Sequence, residues 1–103
     1  MANKKQLLKL NPALQRVPTV ATDLTTKDTW VYQITVANTA ETATTLTVQD
    51  RAATPRKLVP DVSLGANSLT IISLPEGVKM TGGINWMASQ DALDVSITAY
   101  RLP

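Results

Sequence analysis

The stretch Asp-Thr-Trp-Val-Tyr-Gln-Ile-Thr-Val-Ala, residues 28–37, decides the fold, because its side chains alternate without interruption. A period of two is typical of a β-strand that buries one face. One face would hold a mainly apolar set that we expect to face the core: Trp30, Tyr32, Ile34 and Val36. The intervening residues between 29 and 37 would then face outward.

The same alternation recurs along most of the chain between residues 28 and 101, while helical spacing is sustained nowhere in that span. The 103 residues include 15 Thr, 9 Val and 5 Ile, whose stiff β-branched side chains suit a pleated surface. Further strands are predicted at 17–22, 43–49, 62–64, 68–74, 78–80, 84–88 and 93–99. Seven or eight short strands predict an antiparallel β-sandwich of the jelly-roll or immunoglobulin-like type over residues 17–103, with a small barrel as the alternative.

The links between these strands give more detailed expectations. A polar link at 38–42 suggests that 28–37 and 43–49 form an antiparallel hairpin. Residues 50–61 contain two prolines and three basic residues, which indicates a loop or an edge crossing. Run 68–74 alternates poorly, which would suit a strand covered on both faces. The segment Pro75-Glu76-Gly77 predicts a turn.

Residues 1–16 form a separate basic arm with a charge of +4, whereas residues 17–103 sum to −2. Its leucine spacing would allow a short amphipathic helix that Pro12 would break. A frayed terminus is the simpler interpretation. We favour an arm that docks on a neighbouring subunit, because a solvated tail does not need four leucines. The candidate partner-binding residues of the arm are Lys4, Lys5, Leu7, Leu8, Lys9, Leu10, Leu14 and Arg16.

A second candidate contact lies in the proline-containing loop at 51–57, where Arg51, Arg56 and Lys57 come together. These side chains form either a solvated loop or a basic patch for an acidic partner surface, and the sequence leaves both open.

The composition argues against catalysis. The chain has no Cys and no His, so it lacks a thiol nucleophile, a disulfide and the commonest general base and metal ligand. The acidic pairs Asp23/Asp28 and Asp91/Asp94 look like turn residues. We therefore expect no enzyme, no cofactor and no metal site. Nor do we expect nucleic acid or membrane partners, because the basic excess lies at one end and no apolar run could span a bilayer.

Four aromatic residues remain to be placed. Trp30, Tyr32 and Trp86 lie on otherwise apolar faces, which favours core packing. Tyr100 falls on the outward register and is the better surface candidate. A sugar-binding platform of these rings is a minor alternative, because carbohydrate stacking needs exposed rings.

Residues from about 19 to 101 resemble a kind of small bacteriophage virion protein. The matching segments are ITVANT (34–39), VSLGANSLT (62–70), LPEG (74–77), GGINWMAS (82–89) and the closing strand at 94–99. The resemblance implies a β-sandwich subunit that decorates a capsid or belongs to a head fibre, neck or tail, and that is often trimeric. The arm lies outside this pattern.

We therefore expect a structural virion protein, assembled in the host cytoplasm. We interpret it in the first instance as a capsid decoration or cement subunit. It would be a homo-oligomer, with a trimer favoured, that binds the major capsid protein or another virion chain through its arm and loops. The alternatives are a head-fibre or tail accessory subunit, or a module that binds carbohydrate or a host surface.

Overall fold

The structure, a computed structural model, describes residues 7–103. No helix occurs among these residues, and the all-β prediction is confirmed. The strands are β1 (Leu8–Lys9), β2 (Gln15–Arg16), β3 (Thr22–Thr25), β4 (Thr29–Asn38), β5 (Thr44–Asp50), β6 (Lys57–Leu64), β7 (Ser68–Met80), β8 (Ile84–Ala88) and β9 (Leu93–Arg101).

The strands form two antiparallel sheets that pack face to face. Sheet A has the order β1-β9-β4-β7, with β2 pairing the same edge of β9 as part of the arm. Sheet B has the order β3-β8-β5-β6. The core between the sheets is almost wholly aliphatic, and Trp86 is the aromatic side chain buried in it. The predicted antiparallel sandwich is thus confirmed.

The pairing is nested around the loop between β5 and β6. These two strands pair with each other, β4 pairs with β7, and β3 pairs with β8. The outermost partners are the arm strands β1 and β2, which pair with β9. The first described strands, β1 and β2, therefore lie beside the last strand, β9, at one edge of sheet A.

The predicted hairpin between 28–37 and 43–49 is wrong, because β4 belongs to sheet A and β5 to sheet B. The buried side chain of Asn38 holds the crossing between them. Its Nδ2 donates to the carbonyl oxygens of Thr42 (3.1 Å), Leu64 (3.1 Å) and Gly65 (3.0 Å), while Oδ1 accepts from Ala40 N (3.0 Å) and Thr44 Oγ1 (3.2 Å). One amide thus satisfies backbone groups of two loops, which an ordinary hairpin turn would satisfy internally.

The predicted core face of the first long strand is half right. Ile34 and Val36 are buried, but a β-bulge shifts the register of β4 between Val31 and Gln33 against both neighbouring strands. A bulge inserts one residue and so reverses the parity of alternation beyond it. Trp30 and Tyr32 consequently lie on the outer face of sheet A.

Three further expectations are corrected. The proposed strand at 17–22 is mostly the link from sheet A to β3, because Val17 ends on β9 and β3 begins at residue 22. The proposed loop at 50–61 ends at residue 56, and Pro60 lies within β6, at a sheet edge where a missing donor costs no ladder bond. The proposed turn at 75–77 is an irregularity inside β7, where Gly77 has a φ of 77°.

Strand β7 is also less covered than expected. Leu69 and Ile71 are 65% and 59% exposed, so run 68–74 is not buried on both faces. Its weak alternation reflects apolar residues on an outer face rather than double burial.

Candidate functional site

The described part of the arm, residues 7–16, is extended rather than helical. It lies along the edge of its own β9, where Leu8 is opposite Arg101 and Gln15 is opposite Val95. Backbone bonds fasten it at two points, from Leu10 N to Ala99 O and from Val17 N to Leu93 O, both 2.9 Å. The arm thus covers a strand edge that would otherwise expose unpaired backbone groups.

Arg16 fixes the arm beside the turn between β8 and β9. Its guanidinium contacts both oxygens of Asp94, with Nε 2.7 Å from Oδ1, and Nη1 lies 2.9 Å from the carbonyl oxygen of Asp91 and 3.3 Å from its carboxylate. The hydrogen bonds to Asp94 and then to Asp91 raise the pKa of Arg16. Arg16, predicted to bind a partner, is therefore engaged within the chain.

The leucines of the arm divide into two groups. Leu7 and Leu10 are half-buried, and Leu10 packs against the core. Leu8 and Leu14 remain 44% and 63% exposed, beside the exposed Lys9. Lys4 and Lys5 lie outside the described residues. The predicted arm residues that the fold leaves available are thus Leu8, Lys9 and Leu14.

The basic loop candidates are not a free patch. Arg51 Nε lies 3.0 Å from Asp23 Oδ1, and Lys57 Nζ lies 3.3 Å from Asp61 Oδ2. A hydrogen bond from the Thr47 hydroxyl, followed by the Lys57 ammonium, lowers the pKa of Asp61.

Arg56 differs from its neighbours. Its side chain is exposed and makes no hydrogen bond or ion pair with the residues that the structure describes. Of the three predicted loop residues, it is the one available to an acidic partner. The loop belongs to sheet B, whereas the arm lies on sheet A.

Trp30, Tyr32 and Tyr100 form an aromatic patch on the outer face of sheet A, and the prediction that Trp30 and Tyr32 pack in the core is wrong. The rings of Tyr32 and Tyr100 meet edge to face at 5.8 Å, and Lys79 Nζ lies 5.7 Å from the centroid of the Trp30 ring. Gly77 makes room for this patch, because a Cβ there would lie 2.8 Å from the Tyr32 ring. Trp86 is buried in the core as predicted, and Tyr100 points outward as predicted but is half-buried.

The depressions offer little that is recognisable as a reaction centre. One of about 430 Å³ is lined by Leu10, Leu24, Thr25, Thr26, Lys27 and Arg101. Within residues 7–103, no three acidic side chains converge to form a metal-binding cluster. The same residues include no helix long and apolar enough to cross a membrane. The features that remain to be explained are the exposed apolar side chains, among them Leu8, Leu14, Leu69 and Ile71.

Comparisons with family models, with curated proteins and with solved structures each find no match for this chain.

Proposed function

We propose that this chain is a structural subunit of a bacteriophage virion, in the first instance a capsid decoration or cement protein. The observation that supports this most directly is the nested pairing of its strands. The similarity of segments 34–39, 62–70, 74–77 and 82–89 to small virion proteins supports it independently.

We infer that the sandwich is a jelly roll. If β1 and β2 are counted as one strand interrupted at 10–14, eight strands remain. The first then pairs with the last, the second with the seventh, the third with the sixth, and the fourth with the fifth. This is a long hairpin rolled into two four-stranded sheets. Jelly rolls recur in viral capsid proteins and lectins, which favours these two classes of function.

The surface of the arm supports attachment to another protein. Leu8 and Leu14 stay exposed even though the arm is laid on its own sheet, so the fold does not account for them. Burying a leucine side chain contributes roughly 1.5–3 kcal/mol before ordering costs. Two leucines give weak binding per copy, and many copies on a symmetric particle would make attachment durable.

The experiment uses particles of the bacteriophage whose genome encodes the chain. We expect the protein to copurify with them at a copy number fixed by capsid symmetry. A few copies per particle would instead favour the head-fibre or tail accessory role. The double variant Leu8→Ser/Leu14→Ser should fold normally but bind stripped particles at least about tenfold more weakly. Val20→Ser is the matched control, because Val20 is equally exposed outside the arm. Equal binding by both variants would show that the arm does not contribute to particle binding.

A second candidate function, a carbohydrate-binding or host-surface module, is favoured by one observation. Trp30, Tyr32 and Tyr100 lie on an outer sheet face, where aromatic rings can stack on sugars. Trp30 is the ring that would report binding, because Trp86 is buried. A glycan panel should then change tryptophan fluorescence in the wild type but not in Trp30→Phe. No response to any glycan would count against this candidate.

A further inference from the structure

Sheet edges present unpaired backbone groups, and folded proteins usually protect them. The arm covers the edge of β9, and β3 is short and contains a register shift. Strand β6 carries Pro60 and, at Asp61, a φ of 51° beside register shifts. Among the described residues, β7 is the edge strand with a long regular run, residues 68–73, that none of these devices interrupts.

This run is suited to pairing with another strand. Segment 66–75 contains no charged residue, and its regular part is rich in β-branched and other apolar side chains. Leu69 and Ile71 are exposed on the outer face. On the inner side, Ile72 and Leu74 pack against the core but remain only half-buried. A strand added here would place its own side chains beside both sets and so reduce their exposure.

The backbone pattern identifies the free groups. Thr39 N donates to Ala92 O, so the backbone of Thr39 points to β9 and that of Asn38 points to β7, opposite Ser68. Backbone groups alternate sides along a strand, so the even-numbered residues of 68–72 point to β4. The groups that point to the free edge are the N–H and C=O of Leu69, Ile71 and Ser73.

We propose that two copies of this chain pair through β7, antiparallel, about a two-fold axis at Ile71. The free residues are symmetric about Ile71, so this register places Leu69 opposite Ser73 of the second copy and Ile71 opposite its own counterpart. All the free N–H and C=O groups of these three residues are then paired in both copies. No like charges meet across the axis, because segment 66–75 is uncharged. The sheets A of both copies become one continuous sheet.

A second copy fits this edge better than an unrelated strand does. The three free residues pair completely with the same three residues of an identical antiparallel strand, and the uncharged segment 66–75 gives no preference for an oppositely charged partner. The inference does not depend on the virion role, because the purified chain alone should show it. The trimer expected above would need a different interface.

The first test is the mass of the purified full-length chain in solution, measured from about 1 µM to 1 mM by sedimentation. We expect a concentration-dependent dimer of the 11.1 kDa chain. Ile71→Lys places two ammonium groups opposite each other and should weaken dimerisation at least about tenfold. Val20→Lys, at an equally exposed apolar site outside β7, should leave it unchanged. A monomer throughout, or an oligomer that Ile71→Lys does not affect, overturns the proposal.

The second test does not depend on disrupting the surface. The chain has no cysteine, so a single introduced thiol can cross-link only between copies. Residues facing each other across the axis have Cα atoms about 5.5 Å apart, within the range that a disulfide spans. Ile71→Cys should therefore give a disulfide-linked dimer under mild oxidation. Leu69→Cys should not, because its two thiols would lie about four residues apart along the strands. Equal cross-linking of both variants overturns the register, and cross-linking of neither overturns the interface.

Discussion

Asn38→Ala should remove the amide that holds the crossing between the two sheets. The substitution removes the side-chain partner of the buried Thr44 hydroxyl, one hydrogen bond of the buried Leu64 carbonyl oxygen, which also pairs with Thr44 in the ladder, and three half-buried contacts. A buried polar group left unsatisfied costs about 1–3 kcal/mol, and a hydrogen bond lost from a group that keeps another partner costs about 0.5–1.5 kcal/mol. The Thr44 hydroxyl and the Leu64 carbonyl oxygen together give about 1.5–4.5 kcal/mol. We expect a loss of about 3 kcal/mol in the free energy of unfolding.

This loss is large for a chain of this size. A domain of 103 residues has a stability of roughly 5–15 kcal/mol, so the variant should lose a substantial fraction of it. The melting temperature should fall by roughly 12–24 °C, since about 1 kcal/mol corresponds to 4–8 °C in domains of this length. Asn38→Asp should cost more, because an oxygen would replace the amide donor that faces three carbonyl oxygens.

Urea unfolding followed by far-ultraviolet circular dichroism measures the effect. Asn85→Ala is the matched control, because the Asn85 amide is half-buried and donates to Asp23 Oδ1 at 2.9 Å. Its loss should cost no more than about 1 kcal/mol. If Asn38→Ala were no more costly than this control, the inference that Asn38 determines the crossing would be wrong.

Three further predictions test other parts of the chain. Gly83→Ala should unfold the protein or destabilise it severely, since its Cβ would lie 2.2 Å from a backbone oxygen at a φ of 121°. A Cβ at Gly65 would make only an ordinary van der Waals contact, 3.9 Å from Ser68 Oγ, so Gly65→Ala should be neutral by thermal melting. The lowered pKa of Asp61 contributes stability above the unfolded pKa of about 3.9, and this stability is lost as the pH falls through the folded pKa. The urea midpoint should therefore depend less on pH below about pH 4 in Asp61→Asn than in the wild type. Parallel curves of midpoint against pH there would contradict this. Arg16→Gln should speed hydrogen exchange of the Leu10 amide without affecting core amides of β4, and unchanged exchange would show that the ion pairs do not hold the arm.

How far the sequence predicts the fold depends on whether the deciding contacts are local. Alternation identified β4, β5, β8 and β9, because period two is a local property. Alternation could not predict which strand pairs with β4. This pairing depends on Asn38 bonding Leu64, far along the chain, and a polar link looks the same whether it closes a hairpin or crosses between sheets.

The core placement predicted for Trp30 and Tyr32 is wrong for a related reason. One inserted residue near Tyr32 reverses which side of β4 faces inward, and nothing in the alternation of residues 28–37 marks it. The available signal was indirect. Gly77 is opposite this region only in the folded sheet, where its positive φ and missing side chain admit the Tyr32 ring.

The nested pairing links the proposed contacts to the fold itself. In a rolled hairpin the first and last strands pair at one edge, so an arm can reach a neighbour while its root stays fixed to β9. Val17 is completely buried and Arg16 is held by two aspartates, whereas Leu8 and Leu14 before them remain exposed. The opposite edge of the same sheet is β7. Sheet A therefore has the exposed leucines of the arm at one edge and an unprotected strand at the other, and the two contacts proposed above use different edges. A subunit with two such edges can contact a particle through its arm and a second copy through β7, which is the property that a symmetric coat requires.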